Sequence, residues 1–273
     1  MTKIPKIIHY CWFGRGKMPE SAKKYIESWK KYCPDYKIKE WNEDNFDIHS
    51  NKYVEEAYNA KKYAFVTDYV RLYALYTEGG IYMDTDVEVL KPLDRFLDES
   101  AFSSFESNDM ISTGIMGAEK ENVWIKDLLD EYKDLRFIKE DGTFDTTTNV
   151  IRITNLTVNK YGLIQKSSYQ KLKDGIVTIY PFDYFCPKDW KTGKINLTEN
   201  SYTIHHFSGS WLTAEEQERK LIISNYIKLY IKKGYDSETA GRKAENKYRL
   251  TYYPKHPIKL VKKIKEKISE RSK

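Results

Sequence analysis

The sequence predicts an α/β fold on a mainly parallel central sheet, followed by a helical C-terminal extension. Three observations carry this. Apolar runs of strand length alternate with segments of helical periodicity through the first third of the chain. A long helical segment, 64–78, breaks at Gly79-Gly80 and passes at once into the β-prone Ile81-Tyr82-Met83. From 214 to 249 the pattern is helical throughout. Alternation of this kind places ligands outside the carboxyl ends of the strands.

Each element has its own signal. Residues 6–12 form a short apolar run, as a buried strand requires, and break at Gly14-Arg15-Gly16. Pro19 suits a first helical turn, and Ala22, Tyr25, Ile26 and Trp29 follow at helical spacing. Residues 36–41 read as a second strand. In 64–78, Phe65, Tyr69, Leu72 and Tyr76 line one helical face, and the paired glycines end the helix because glycine tolerates positive φ. Strands are expected at 101–106 and 111–118, a helix at 122–132, and a Thr/Asn-rich stretch containing a helix at 144–162. Residues 176–180 read as a strand, 181–187 as a rigid aromatic loop, and 202–207 alternate like a terminal strand. The expected division is an α/β domain over 1–212 and a helical extension over 213–273.

The acidic triplet Asp84-Thr85-Asp86 stands where the third strand runs out. In an extended chain, residues i and i+2 point the same way, roughly 6.5–7 Å apart. Two such carboxylates offer hard oxygen ligands to Mg²⁺ or Mn²⁺ but cannot fill the shell, so a substrate phosphate must complete it. Asp68 and Arg71 lie one helical turn apart, so both are expected on the polar edge of the helix facing this strand end. Arg71 could pair with a phosphate or with Asp84, and Asp68 with a sugar hydroxyl. The plain alternative is a surface helix with an ordinary ion pair before an acidic turn, since three-residue patterns recur by chance. The helix, double glycine and strand around the triplet argue against chance.

The run Asp68-Tyr69-Val70-Arg71-Leu72-Tyr73-Ala74-Leu75, then Gly79-Gly80-Ile81-Tyr82-Met83-Asp84-Thr85-Asp86, resembles the sugar-binding D-x-D region of glycosyltransferase family 32. That family includes bacterial capsule and exopolysaccharide transferases and yeast mannosyltransferases, and is related to the catalytic domains of the large clostridial glucosylating toxins. Residues Ile4-Pro5-Lys6-Ile7-Ile8-His9-Tyr10-Cys11-Trp12-Phe13-Gly14 resemble its opening strand, and His205-His206-Phe207-Ser208-Gly209-Ser210-Trp211 its closing site segment. The resemblance implies a GT-A fold, a Mn²⁺ or Mg²⁺ cofactor and retention of anomeric configuration. It implies a catalytic set of Asp68, Arg71, Asp84 and Asp86, with Trp12, Tyr82, Ser210 and Trp211 joining Asp68, Arg71 and Asp84 around a nucleotide sugar, a UDP-hexose by analogy. Trp12 would stack on the base. The metal set would be drawn from Asp84, Asp86, His205, His206 and Ser210; neighbouring strand histidines point to opposite faces, so one of the two reaches the cation, and His205 is the first choice. The acceptor would be a saccharide or a polyprenyl-linked one, in synthesis of a bacterial surface polysaccharide. Where family members often have Gly-Pro, this chain has Thr148-Asn149, so the acceptor-side readings of Asp145, Thr146, Thr147, Thr148 and Asn149 depart from the pattern.

Composition bounds the rest. The 273 residues, 40% hydrophobic and 32% charged, are those of a globular protein, and 23 tyrosines suit both a core and sugar faces. The three cysteines, Cys11, Cys33 and Cys186, have no metal-ligand spacing and read as reduced thiols. With no bilayer-length apolar run and no signal-peptide core, the expected setting is cytoplasmic, at the inner face of the cell membrane. Residues 255–273 hold eight Lys or Arg and two Glu, with Ile258, Val261, Ile264 and Ile268 at helical spacing. This tail carries the whole net charge of +6 and reads as a basic amphipathic helix suited to an anionic membrane, or as a plain surface helix. The neutral remainder gives no reason to expect nucleic-acid binding. A haloacid-dehalogenase-type phosphatase also places D-x-D after a strand, but has Thr or Val where this chain has Glu88 and a second acidic motif that is missing here. A non-catalytic nucleotide-sugar-binding protein is the remaining alternative.

Overall fold

The computed structural model describes residues 2–209, 212, 214–252 and 254. The chain divides into two units, one of residues 1–188 and 195–211, the other of 189–194 and 212–273.

The first unit is built on seven strands: β1 (Ile7–Cys11), β2 (Lys37–Trp41), β3 (Gly80–Met83), β5 (Ala101–Ser104), β6 (Ile115–Ala118), β7 (Gln170–Leu172) and β8 (Val177–Tyr180), with β4 (Val87–Val89) set apart. Their order is β2-β1-β3-β6-β5-β8-β7. β2, β1 and β3 are parallel, β6 runs against both β3 and β5, β5 and β8 are parallel, and β7 closes the edge antiparallel to β8. Five strands therefore share one direction and two oppose it. The expected α/β architecture with a mainly parallel central sheet forms.

Alternation along β3 explains its unbroken apolar sequence. Tyr82 packs into the core on one face and Ile81 and Met83 into the core on the other, so every side chain of the strand is buried. One core lies between the sheet and the helices α2 (Lys52–Asn59), α3 (Tyr63–Glu78), α4 (Val123–Asp130) and α5 (Asn149–Tyr161). The other includes Ile26 and Trp29 of α1 (Glu20–Tyr32) and Phe185 of the short α6 (Phe182–Phe185). Helix α3 is buried almost all round, through Val66, Val70, Leu72, Ala74 and Leu75, rather than along the single stripe expected, because it is covered by α2 and α4 as well as by the sheet. Gly79 and Gly80 join it to β3 with φ of 68° and 109°. A Cβ on Gly80 would stand 2.7 Å from Ile7 O, so only glycine lets β3 enter beside β1.

The strands expected at 101–106 and 111–118 are shorter than the pattern suggests, but an isolated bridge, Phe105 to Ile111, continues the pairing. The alternating 202–207 segment supplies β9 (Thr203–His205), which pairs with β4 in a separate two-stranded sheet. In the second unit the helical pattern resolves into α7 (Ala214–Lys232) and α8 (Ser237–Tyr252), broken at Gly234 and packed through Ile227, Ala240 and Ala244. The amphipathic tail expected at 255–273, and Ser210 and Trp211 of the closing motif, lie outside the described residues.

Candidate functional site

β1, β3 and β5 all end at the same edge of the sheet, which brings Trp12, Asp84 and the residues after Ser104 to one side. The extended geometry expected for 84–86 does not form. Val87 N–H donates to Asp84 O at 3.0 Å, so the triplet is a tight turn. The turn sends the chain into β4, which pairs with β9 in a register that sets Val87 opposite His205. Ligand atoms of Asp84, Asp86 and His205 consequently all lie within 4.8 Å of one another. His205 Nε2 is 3.2 Å from Asp86 Oδ1 and 3.9 Å from Asp84 Oδ2.

The neighbouring histidine does not join them. Period-two alternation turns His206 to the other face of the strand, where Nε2 meets Glu88 at 2.9 Å and the ring stacks on Tyr25 with centroids 4.5 Å apart. The expectation that His206 is a metal candidate is corrected on this ground. His9 is a satisfied strand histidine: Trp41 Nε1–H donates to Nδ1 at 3.0 Å and Nε2 meets Gly79 O at 2.7 Å.

Asp84 is fixed from below. Tyr82 O–H donates to its Oδ1 at 2.7 Å, and Arg71 Nη1 lies 3.4 Å from the same oxygen. Asp68 and Arg71 are not on an exposed polar edge as expected; they are 9% and 5% exposed, because α3 is covered on both sides. A guanidinium taken out of water must find partners for its donors. Arg71 finds Asp68 Oδ1 at 3.1 Å, Thr113 O at 2.6 Å and Thr67 O at 3.3 Å, and it lies 4.7 Å from the centre of the Tyr82 ring. Burial pushes the Asp68 carboxyl up to about 6 despite the nearby Arg71 charge. Asn149 Nδ2 donates to Asp68 O at 3.2 Å, and Asp145 pairs with Arg152, so two of the acceptor-side candidates are tied to this helix or to each other's segment.

Asp86 faces the opposite pull. Burial favours its neutral form, but the His205 charge and the Ser208 N–H, which donates to Oδ2 at 2.6 Å, hold the carboxyl well below the usual range. His205 mirrors this: burial lowers its proton affinity, and Asp86, with a smaller contribution from Cys186, raises it well above the ordinary value. Its Nδ1 is buried with no hydrogen-bond partner, and a Cβ on Gly114 would stand 2.7 Å from that nitrogen. Two carboxylates and an imidazole, already gathered around positive charge, fit a divalent cation of the Mn²⁺ or Mg²⁺ type and leave most of its shell to a ligand.

Trp12 is partly buried, with its indole N–H donating to Gly16 O at 2.7 Å. It lines a narrow crevice with Ser21, Ala22, Thr85, Asp86 and Ser208. A wider depression of about 530 Å³ over residues 134–140 shares no residue with this site and is open to solvent. The pattern reading missed three neighbours: Glu106 after β5, Cys186 behind His205, and the Tyr25–Glu88 seat of His206. For Glu106 the available signal is a charged residue closing an otherwise uncharged strand.

The fold and site thus define an α/β protein with a cluster of Asp84, Asp86 and His205, able to hold a cation, at the carboxyl edge of its sheet. Residues 19–103 match the family described as glycosyltransferase sugar-binding region containing DXD motif. The chain is 29% identical over 113 residues to inositol phosphoceramide mannosyltransferase 1 of Schizosaccharomyces pombe, covering 37% of this chain and 34% of the relative. It is 32% identical over 129 residues to inositol phosphoceramide mannosyltransferase 3 of the same organism, covering 43% and 34%. The matches therefore span about a third of those curated relatives. Among solved structures, a glycosyltransferase involved in glycosylation of the major capsid of PBCV-1 aligns with TM-score 0.42 and 16% identity, over 80% of this chain and 99% of that one.

Proposed function

We propose that the chain is a metal-dependent, retaining glycosyltransferase that moves a hexose from a nucleotide sugar, UDP-linked by preference, to a saccharide or lipid-linked acceptor in surface-polysaccharide synthesis. The convergence of Asp84, Asp86 and His205 beside Trp12 carries this reading. The family match to a sugar-binding region and the glycosyltransferase names of the relatives support it.

Asp84, Asp86 and His205 would hold the cation, Mn²⁺ or Mg²⁺, which when bound supplies positive charge for the diphosphate leaving group. The chain's own residues do the rest. Arg71 and Tyr82 fix Asp84 from beneath, so the carboxylate is aimed before any ligand arrives. Arg71 acts on the diphosphate through Asp84, since its guanidinium is buried and already donates to Thr67 O, Thr113 O and Asp68. Trp12 offers a flat face to a base at the crevice beside Asp86. Asp68 is tied to Arg71, and a role for it at a sugar hydroxyl requires that it exchange part of that pairing. The names of the relatives add mannose to the donors worth testing.

The test is thermal unfolding of the full chain with a panel of nucleotide sugars, with and without Mn²⁺, followed by assay of nucleotide release. A donor that raises Tm only with metal, and is then turned over, supports the reading. Binding without turnover under any acceptor favours a non-catalytic sugar-nucleotide-binding protein. Hydrolysis of simple phosphate esters with no response to nucleotide sugars favours a phosphatase.

A further inference from the structure

One carboxylate at the site's edge of the sheet has no part in the cation cluster. Pairing continues past β5: Phe105 N–H donates to Tyr180 O at 2.9 Å, and Glu106 N–H donates to Met110 O at 2.8 Å. Phe102 is buried in one core and Phe105 in the other, and Glu106 stands at the bend that follows, where the chain leaves the sheet. The segment leading into the reversed β6 runs between β5 and Asp84: Asp84 N–H donates to Gly114 O at 2.8 Å on one side, and Ser112 N–H to Ser104 O at 2.7 Å on the other. Its carboxylate feels the charges of His205, Asp84 and Arg71. Yet it makes no hydrogen bond or ion pair with any described side chain or backbone N–H. A partly buried carboxylate left without a partner costs stability. Burial pushes it up to about 7, with His205 and Arg71 opposing that rise.

We propose that Glu106 is a substrate-facing catalytic residue whose carboxylate lies against the transferred sugar and stabilises positive charge growing on the anomeric carbon. This rests on the glycosyl-transfer reading above. In the step concerned, the bond between the anomeric carbon and the diphosphate oxygen breaks, and its electron pair leaves with the diphosphate. The acceptor hydroxyl oxygen supplies the pair for the new bond, and its proton leaves with the nucleoside diphosphate. Glu106 is unchanged at the end. In its ionised form, a negative charge facing an oxocarbenium-like centre acts only in the transition state, so its removal should lower kcat rather than ground-state binding.

The experiment compares the full chain with Glu106→Gln and Glu106→Asp, using Mn²⁺ and the donor identified by the panel, and measures UDP affinity by calorimetry with Mn²⁺ present. For Glu106→Gln, kcat is expected to fall about 100-fold while UDP affinity stays within about twofold. Glu106→Asp keeps the charge but shortens its reach, and a lesser fall in kcat is expected. It also serves if the glutamine variant proves unstable. A kcat within about threefold of wild type in both variants overturns the proposal. So does a loss of UDP affinity that follows kcat, because Glu106 would then belong to the cation site. A wild-type chain that turns over no donor overturns the transfer reading first, and this inference with it.

Discussion

At the scale of single residues, the site depends on how few atoms separate its parts. Gly114 is the sharpest case: a methyl group there would collide with the His205 ring, which is already buried and cannot retreat. Gly114→Ala should therefore weaken Mn²⁺ binding about tenfold or more while leaving the far-ultraviolet circular dichroism unchanged. Titration of the ion followed by electron paramagnetic resonance measures this, and unaltered affinity would remove His205 from the ligand set. Asp86→Asn should lower metal-dependent turnover by at least about 100-fold with the far-ultraviolet circular dichroism of the fold kept; near-wild-type turnover would defeat the assignment. Asp84, Asp86, Asp68, Arg71 and Trp12 all carried a signal in the sequence because they sit in one contiguous motif or at a strand end. Glu106 and Cys186 carried almost none. Their closeness to the site comes from sheet order and from the packing of distant segments, which no local spacing encodes.

At the scale of elements, long periodic segments were the most legible and tight turns the least. Helix α3 and strand β3 lie where the pattern puts them, and Gly79-Gly80 marks their junction. The 84–86 turn reads from sequence as an extension of β3 because nothing in Asp-Thr-Asp forbids an extended chain. Pairing of β4 with β9 decides the matter, a choice made by tertiary contact. The 8-residue α2 and the 3-residue β7 fall below the length at which periodicity separates helix from strand. Helix α2 also anchors the segment after α4. Glu56 is 7% exposed and accepts from Arg136 Nε at 2.7 Å and Ile138 N at 3.0 Å. Burial alone would raise its carboxyl, but Arg136 and the Ile138 N–H outweigh that and bring it below its ordinary 4.5. A carboxyl lowered by folding contributes stability above its unfolded value, and this is lost as pH falls through the folded value. Glu56→Gln should cost about 1–2 kcal/mol near neutral pH and less below about pH 4, read from urea midpoints at both. An equal cost at the two pH values would show that charge has no part in it.

At the scale of the whole molecule, the fold class could be read in advance, since alternation of strand and helix leaves few topologies once β1, β2 and β3 must lie side by side. The reversed β6 could not, because a four-residue apolar strand gives no clue to its direction. Charge is distributed unevenly over the chain, with the entire excess in residues 255–273. The full chain is expected to bind vesicles containing phosphatidylserine, each basic residue adding about 1 kcal/mol near the surface, and to release them as salt rises. A chain ending at residue 254 should lose this binding. Equal sedimentation of both with vesicles would exclude the tail as the contact. Among the described residues, no helix is long and apolar enough to cross a membrane.

The register that sets Val87 opposite His205 has a consequence for biosynthesis. The acidic turn leaves the ribosome early, while the imidazole that completes it emerges only after nearly all of the first unit has been made. A nascent chain thus carries no assembled Asp84-Asp86-His205 cluster until its last strand is zipped into place, and a truncated product lacking that strand would hold the acidic turn alone.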